Sequence, residues 1–189
     1  MQILTKAMLL HQKYEYFQKI LDGAIFIYPT DTIYGIGCNA ELEEAVAKIR
    51  EIKEKQQGPF SIIAPSKEWI MENCIVEGKA KDWVEKLPGP YTLVLPLRSM
   101  HGVAKNVSFS HTLGVRIPNH WIKDIVAELE VPIVTTSVNK TGMPFLTKLE
   151  DLEESIKKEV IFFVDEGEMK GKPSTIIRLE NNKEELQER

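Results

Sequence analysis

Cysteine is nearly absent from this chain. Cys38 and Cys74 stand alone among 189 residues, with neither the density of a disulfide scaffold nor the repeated Cys/His spacing of a zinc site. A reduced, cytoplasmic protein is expected. Excess positive charge is missing too: 24 Lys and Arg face 28 Asp and Glu, a net charge of -4. A chain-wide field that would draw in nucleic acid is therefore excluded, and any polyanion must meet a local patch. Long apolar runs are lacking as well. Met1 to Leu10 is broken by Thr5 and Lys6, too short and too polar for a signal peptide, and no later run is long enough to span a bilayer. Membrane roles are not expected. The four histidines, His11, His101, His111 and His120, are scattered without an i,i+4 pair, and no Ser/His/Asp or Cys/His constellation can be assembled from spacing.

What is present suits one domain. Hydrophobic residues make up 43% and charged residues 28%, enough for a full core in a chain of this length. Leu10, Tyr14, Phe17 and Leu21 recur at helical spacing, and the helix they predict closes near Asp22-Gly23. The apolar stripe Leu42, Ala45, Val46, Ile49 and Ile52 predicts another helix. Further helices are expected near 79–86, 120–129 and 149–157, and Trp69, Trp83 and Trp121 read as packing residues of helical segments. Strands are expected at 24–28, 60–64, 91–97, 114–117, 132–136, 160–164 and 175–179. Helix and strand alternate, so the class is α/β with a mixed sheet. The single domain is expected to have its core at about 8–180, with 181–189 a polar tail that frays.

Two strand exits carry unusual chemistry. Pro29-Thr30-Asp31-Thr32 follows the apolar run Ala24 to Ile27, and Tyr34-Gly35-Ile36-Gly37 comes next. The hydroxyls and the carboxylate could simply bond their own backbone. At a strand end they could equally wall a crevice, with glycines permitting close approach of a ligand and the tyrosine adding a flat face. The plan recurs in Thr135-Thr136-Ser137-Val138-Asn139-Lys140-Thr141-Gly142, after Val131 to Val134. Hydroxyls, amides and exposed N–H groups bind phosphate or carboxylate oxygens without burying a charge, although a plain turn would also account for them. Lys48, Arg50, Lys53 and Lys55 crowd the end of the second helical stripe. They read either as a solvated face favoured by the helix dipole or as a phosphate clamp. Arg116 lies inside the apolar strand Gly114 to Ile117, where it needs an anionic ligand or a protein carboxylate as partner. Ser174-Thr175 is a third hydroxyl pair, at the start of a strand.

In this order, "PTDTIYGIG", "PGPYTLVLP", "GVRIP", "TTSVNKTG" and "GKPSTII" resemble the YrdC-like family of threonylcarbamoyl-AMP synthases over nearly the whole chain. The resemblance implies a twisted open α/β sheet around a concave, positively lined cavity. It implies an enzyme that turns ATP, L-threonine and bicarbonate into threonylcarbamoyl-adenylate and pyrophosphate, for transfer to adenosine 37 of tRNA by a downstream tRNA threonylcarbamoyl transferase complex. Tyr34 and Thr32, with Lys55, are implied at the threonine and bicarbonate end. Lys53 and Arg116 are implied as catalytic cations facing anionic groups. Thr136, Ser137, Asn139 and Ser174 are implied around the nucleotide. Magnesium is implied with ATP, held by substrate and not by a protein metal site, and contact with tRNA or double-stranded RNA is possible in such a protein. From Lys53 to Gly58 the text departs from the Lys-x-Arg-Pro pattern of the synthases, and "GPFSII" is similar to the YciO branch. A YciO-like paralogue that binds nucleotide or RNA with little synthesis is therefore the alternative. Lys53, read as an exposed lysine, is expected to contribute little to folding.

Overall fold

Successive residues of a strand point to opposite faces, and the central strands here bury apolar residues on both. The computed structural model describes residues 1–98, 102–180 and 183–188, so His101 lies outside the described residues. Its strands are β1 (Gln2–Leu4), β2 (Phe26–Tyr28), β3 (Gly35–Gly37), β4 (Ser61–Ile63), β5 (Tyr91–Pro96), β6 (Thr112–Arg116), β7 (Ile133–Ser137), β8 (Phe162–Val164), β9 (Thr175–Glu180) and β10 (Lys183–Gln187). They form one mixed sheet in the order β1-β8-β2-β3-β7-β4-β6-β5-β9-β10. Ile27, Ile62, Val134 and Phe163 point into one hydrophobic core, while Phe26, Tyr28, Ile63, Ile133, Phe162 and Val164 point into a second core on the other face. Coverage of both faces is what makes these strands apolar where the helices pack on them.

Helices α3 (Glu43–Ile52), α4 (Lys67–Asn73), α5 (Lys79–Glu85) and α7 (Glu154–Glu159) serve the first core. Helices α1 (Lys6–His11), α2 (Lys13–Leu21) and α6 (Ile122–Leu129) cover the second. In α6, Ile122, Ile125, Val126 and Leu129 are buried at helical spacing. Each contributes about 1.5–3 kcal/mol relative to exposure, so packing and not intrinsic propensity holds this short helix. Thr5 and Ser66 start α1 and α4 by accepting hydrogen bonds from Met8 N at 3.2 Å and Trp69 N at 3.1 Å.

The structure corrects the sequence-based expectations at four places. The first helical segment is two helices, and it is preceded by β1, which pairs in parallel with β8. The helix expected over 149–157 is a 3-10 turn, Leu149–Asp151, followed by α7 after extended backbone at Leu152 and Glu153. The expected polar tail contains β10, antiparallel to β9: backbone pairing satisfies a strand whose side chains are mostly exposed and charged. Gly35-Ile36-Gly37 is a buried strand, β3, between β2 and β7. A Cβ on Gly37 would stand 2.1 Å from the Val134 carbonyl oxygen, so the close approach there is made by the protein's own backbone and not by a ligand.

Candidate active site

Register places the polar residues of the central strands on one face. Ser61 of β4 is opposite both Gly114 of β6 and Thr135 of β7, and Arg116, Ser137 and Thr92 follow two residues along or across from these positions. This is the face that carries Ile63 and Ile133, which lie in the core beneath α2 and α6. Beyond those helices the same face changes from apolar to hydroxylated. Loops roof the bare part and enclose a cavity of about 270 Å³. Thr30, Thr32, Tyr34 and Gly35 form one wall; Lys55, Pro59, Phe60 and Ser61 form a second. Thr135, Thr136, Ser137 and Phe145 form a third, and Thr92, Arg116, Pro173 and Ser174 complete the lining.

Arg116 is 5% exposed. Its Nη2 donates to Asp31 Oδ1 at 2.5 Å, and both terminal nitrogens lie 3.4 Å from Thr32 Oγ1. Asp31 Oδ2 accepts from Asn119 N at 2.7 Å, so one carboxylate ties the exit of β2 to the end of β6. Of the two partners open to Arg116, the protein carboxylate is the one present. Its Nε is buried without a hydrogen-bond partner, and the guanidinium still faces the cavity. Thr30 Oγ1 donates to Ile33 O at 2.7 Å and accepts from Thr32 N at 3.1 Å. The local turn and the crevice wall are therefore the same structure.

Tyr34 turns its hydroxyl away from the cavity centre. It donates to Gly167 O at 2.7 Å, accepts from Glu166 N at 3.0 Å and lies 3.2 Å from Asp165 Oδ1. Burial pushes its pKa up to about 12. The tyrosine thus holds the strand-to-strand segment that brings Pro173 and Ser174 over the cavity. At Gly171 that segment passes so close that a Cβ would stand 1.8 Å from the Thr32 carbonyl oxygen. Ser174 Oγ lies 2.8 Å from Thr92 Oγ1, joining the roof to β5.

Two expected site residues lie outside the lining. Lys53 is 4% exposed, and its Nζ donates to Ser137 O at 2.6 Å, Asn139 O at 2.8 Å and Asn139 Oδ1 at 3.0 Å. All three donors of the ammonium are spent on protein oxygens, so the reading of Lys53 as an exposed cation facing a ligand is corrected. Burial, with Lys55 nearby, lowers its pKa to about 8. Asn139 sits behind Ser137, accepting from Ser137 Oγ at 2.6 Å and donating to Met143 O at 2.5 Å. Lys55 is the lysine of this segment that reaches the cavity; its Nζ donates to Pro59 O at 2.9 Å and lies 5.0 Å from the Phe60 ring centroid. Spacing does not separate Arg50, which supports that wall, from the other cations of the run, since only the fold shows which of them point inward. Lys48 pairs at the surface with Glu159 at 3.0 Å, as a solvated face would.

The walls therefore hold Arg50, Lys53, Lys55 and Arg116 close to a hydroxyl-lined hollow, with the Asp31 carboxylate paired to Arg116. Such a site can grip anions and align them.

Residues 18–188 match the Sua5/YciO/YrdC family, described as "Telomere recombination". The chain belongs to this family. A Methanocaldococcus jannaschii protein that carries a provisional name of threonylcarbamoyl-AMP synthase is 38% identical over 170 residues, 88% of this chain and 79% of that protein. The crystal structure of P. abyssi Sua5 complexed with L-threonine superposes with a TM-score of 0.85 at 30% identity, covering 98% of this chain and 56% of that one. The chain thus spans little more than half the length of that Sua5. E. coli YciO, at 21% identity and a TM-score of 0.83 over 99% of this chain and 92% of its own, shares the fold.

Proposed function

We propose that this member of the family is a threonylcarbamoyl-AMP synthase, a nucleotidyltransferase acting on ATP, L-threonine and bicarbonate. The observation that carries the reading is the convergence of five hydroxyl-bearing segments with Lys55 and Arg116 around one cavity. Addition of bicarbonate to the threonine amine, with loss of water, gives a carbamate. A carbamate oxygen then attacks the α-phosphorus of ATP, the bond to the β-phosphate oxygen breaks, and pyrophosphate leaves. The protein aligns the two anions and absorbs charge on the departing group. Arg116 and Thr32 hold the amino-acid end against the ring of Tyr34; Thr136, Ser137 and Ser174 serve the nucleotide, with Asn139 and Lys53 holding Ser137 in place. Among the described residues no cluster of three or more His, Cys, Asp or Glu is placed to hold a metal. Magnesium enters as part of the ATP substrate, coordinated by its phosphates.

The adenylate then serves a tRNA threonylcarbamoyl transferase complex, and contact with tRNA or double-stranded RNA belongs to the same proposal, checked by salt-dependent binding. Two free, buried cysteines, Cys38 and Cys74, support a reducing compartment, the cytoplasm. Among the described residues no helix is long and apolar enough to cross a membrane. The YciO-like binding paralogue is not favoured, since likeness at 21% identity speaks for fold alone, and the more similar relative carries the synthase name. Purified protein with magnesium, ATP and bicarbonate is expected to release pyrophosphate only when L-threonine is added. Release that ignores threonine, or none from folded protein, contradicts the proposal.

A further inference from the structure

The guanidinium of Arg50, 7% exposed in the last turn of α3, has no role in the reaction as described above. Every hydrogen bond it makes goes to a backbone carbonyl of one of two loops remote from each other in sequence. Nε and Nη2 donate to Asn106 O at 2.8 and 2.5 Å, Nη1 donates to Lys55 O at 3.3 Å, and Nη2 donates to Gly58 O at 3.1 Å. Phe60 and Phe109 stack near the guanidinium, with ring centroids 4.5 and 4.6 Å from its central carbon. Among the described residues no carboxylate pairs with it. The loops also close on each other and on the helix: Lys55 N donates to Arg50 O at 2.9 Å, and Phe60 N donates to Val107 O at 2.8 Å. The chain leaves the helix at Glu54 with φ of 51°, a left-handed step that a non-glycine residue holds only when its surroundings enforce it.

A buried cation left without a counter-charge is costly. Carbonyl dipoles and aromatic faces offset part of that cost, and the net charge remains one ring behind the cavity, because Phe60 and Lys55 both line it. The wall at Arg116 differs, since that charge is neutralised by Asp31. A zwitterionic amino acid suits the balanced wall, and a polyphosphate suits the unbalanced one.

We propose that Arg50 is a positioning residue for nucleotide binding: it locks residues 55–60 in the shape that presents Lys55 and Phe60 to the polyphosphate of ATP. This rests on the synthase reading and shifts Lys55 from the carbamate side, where the resemblance put it, toward the phosphates. The test compares wild type with Arg50→Gln and Arg50→Lys by calorimetric titration with α,β-methylene-ATP plus magnesium and, separately, with L-threonine. Amide hydrogen exchange is followed in the same samples.

Arg50→Gln is expected to bind the ATP analogue at least about tenfold more weakly while its threonine affinity stays within about twofold. Faster exchange is expected only in 54–60 and 106–108. Lysine lacks the planar fork and is expected to rescue only in part. Unchanged analogue affinity with faster loop exchange would make Arg50 a purely structural latch and overturn the proposal. Equal loss of both affinities with faster exchange throughout would do the same. If Arg50→Gln does not fold, the same two readings on Arg50→Lys decide. Wild-type protein that binds neither ligand defeats the synthase reading itself, whereas wild-type binding with unchanged analogue affinity in the variants defeats only the role given to Arg50.

Discussion

The two hydroxyl-rich strand exits look alike in sequence and are held in opposite ways. After β2, the segment Pro29 to Tyr34 is tied from in front: Asp31 pairs with Arg116, which also lines the cavity. After β7, the segment Thr135 to Gly142 is tied from behind. Lys53 Nζ takes the oxygens of Ser137 and Asn139, and its own carbonyl accepts from Thr141 N at 3.0 Å and Thr141 Oγ1 at 2.9 Å. The first tie is thus part of the binding surface, and the second is a scaffold beneath it. A buried cation near a site either touches the ligand or shapes the loop that does, and its hydrogen-bond partners decide which.

Cutting the first tie is expected to do most. Arg116→Ala strands the Asp31 carboxylate, at a cost of about 3–5 kcal/mol for a broken buried pair, and abolishes pyrophosphate release; urea unfolding and the coupled assay read the two effects. Cutting the second tie separates stability from activity. Lys53→Ala removes three hydrogen bonds of a buried ammonium, though Asn139 Oδ1 keeps the Ser137 hydroxyl and Ser137 O keeps Asn139 N, an expected loss of about 1–3 kcal/mol, yet kcat/KM of the folded fraction stays within about tenfold of wild type. A larger loss of activity than of stability would place Lys53 with Arg116 and dissolve the contrast. Two residues on, Lys55→Ala is expected to invert that result, lowering kcat/KM by about 100-fold with a stability change of roughly 0.5 kcal/mol or less.

A smaller effect comes from pH. Lys53 titrates near 8 in the folded protein and near its ordinary 10.5 when unfolded. Between those values the unfolded chain holds more protons on this residue than the folded chain does. Its contribution to stability therefore rises with pH across that window, as the cost of burying the charge is relieved. Thermal unfolding of wild type is expected to gain on Lys53→Met between pH 7.5 and 9.5, and parallel curves would show that no such titration occurs. The smallest effect belongs to Thr141→Val, about 1 kcal/mol for one hydrogen bond, with unchanged kinetics.

Much of this arrangement is legible in the residues themselves. Alternation and helical spacing place the main strands and helices, and the two exits stand out because hydroxyls follow directly on apolar runs. What eludes reading is direction. Lys53 and Lys55 are two residues apart, and only the left-handed step at Glu54 sends one under β7 and the other to the cavity. β3 is hidden because three residues with two glycines carry no period, and the reason for Gly37 lies in Val134, far along the chain. β10 is hidden because its charged side chains are exposed while its backbone does the pairing.

The most direct measurement supplies ATP, L-threonine and ¹³C-bicarbonate with magnesium and examines the products by mass spectrometry. The account predicts threonylcarbamoyl-adenylate one mass unit heavier than with ordinary bicarbonate, together with pyrophosphate. An adenylate without the ¹³C label, or ATP returned intact by folded protein, would contradict it.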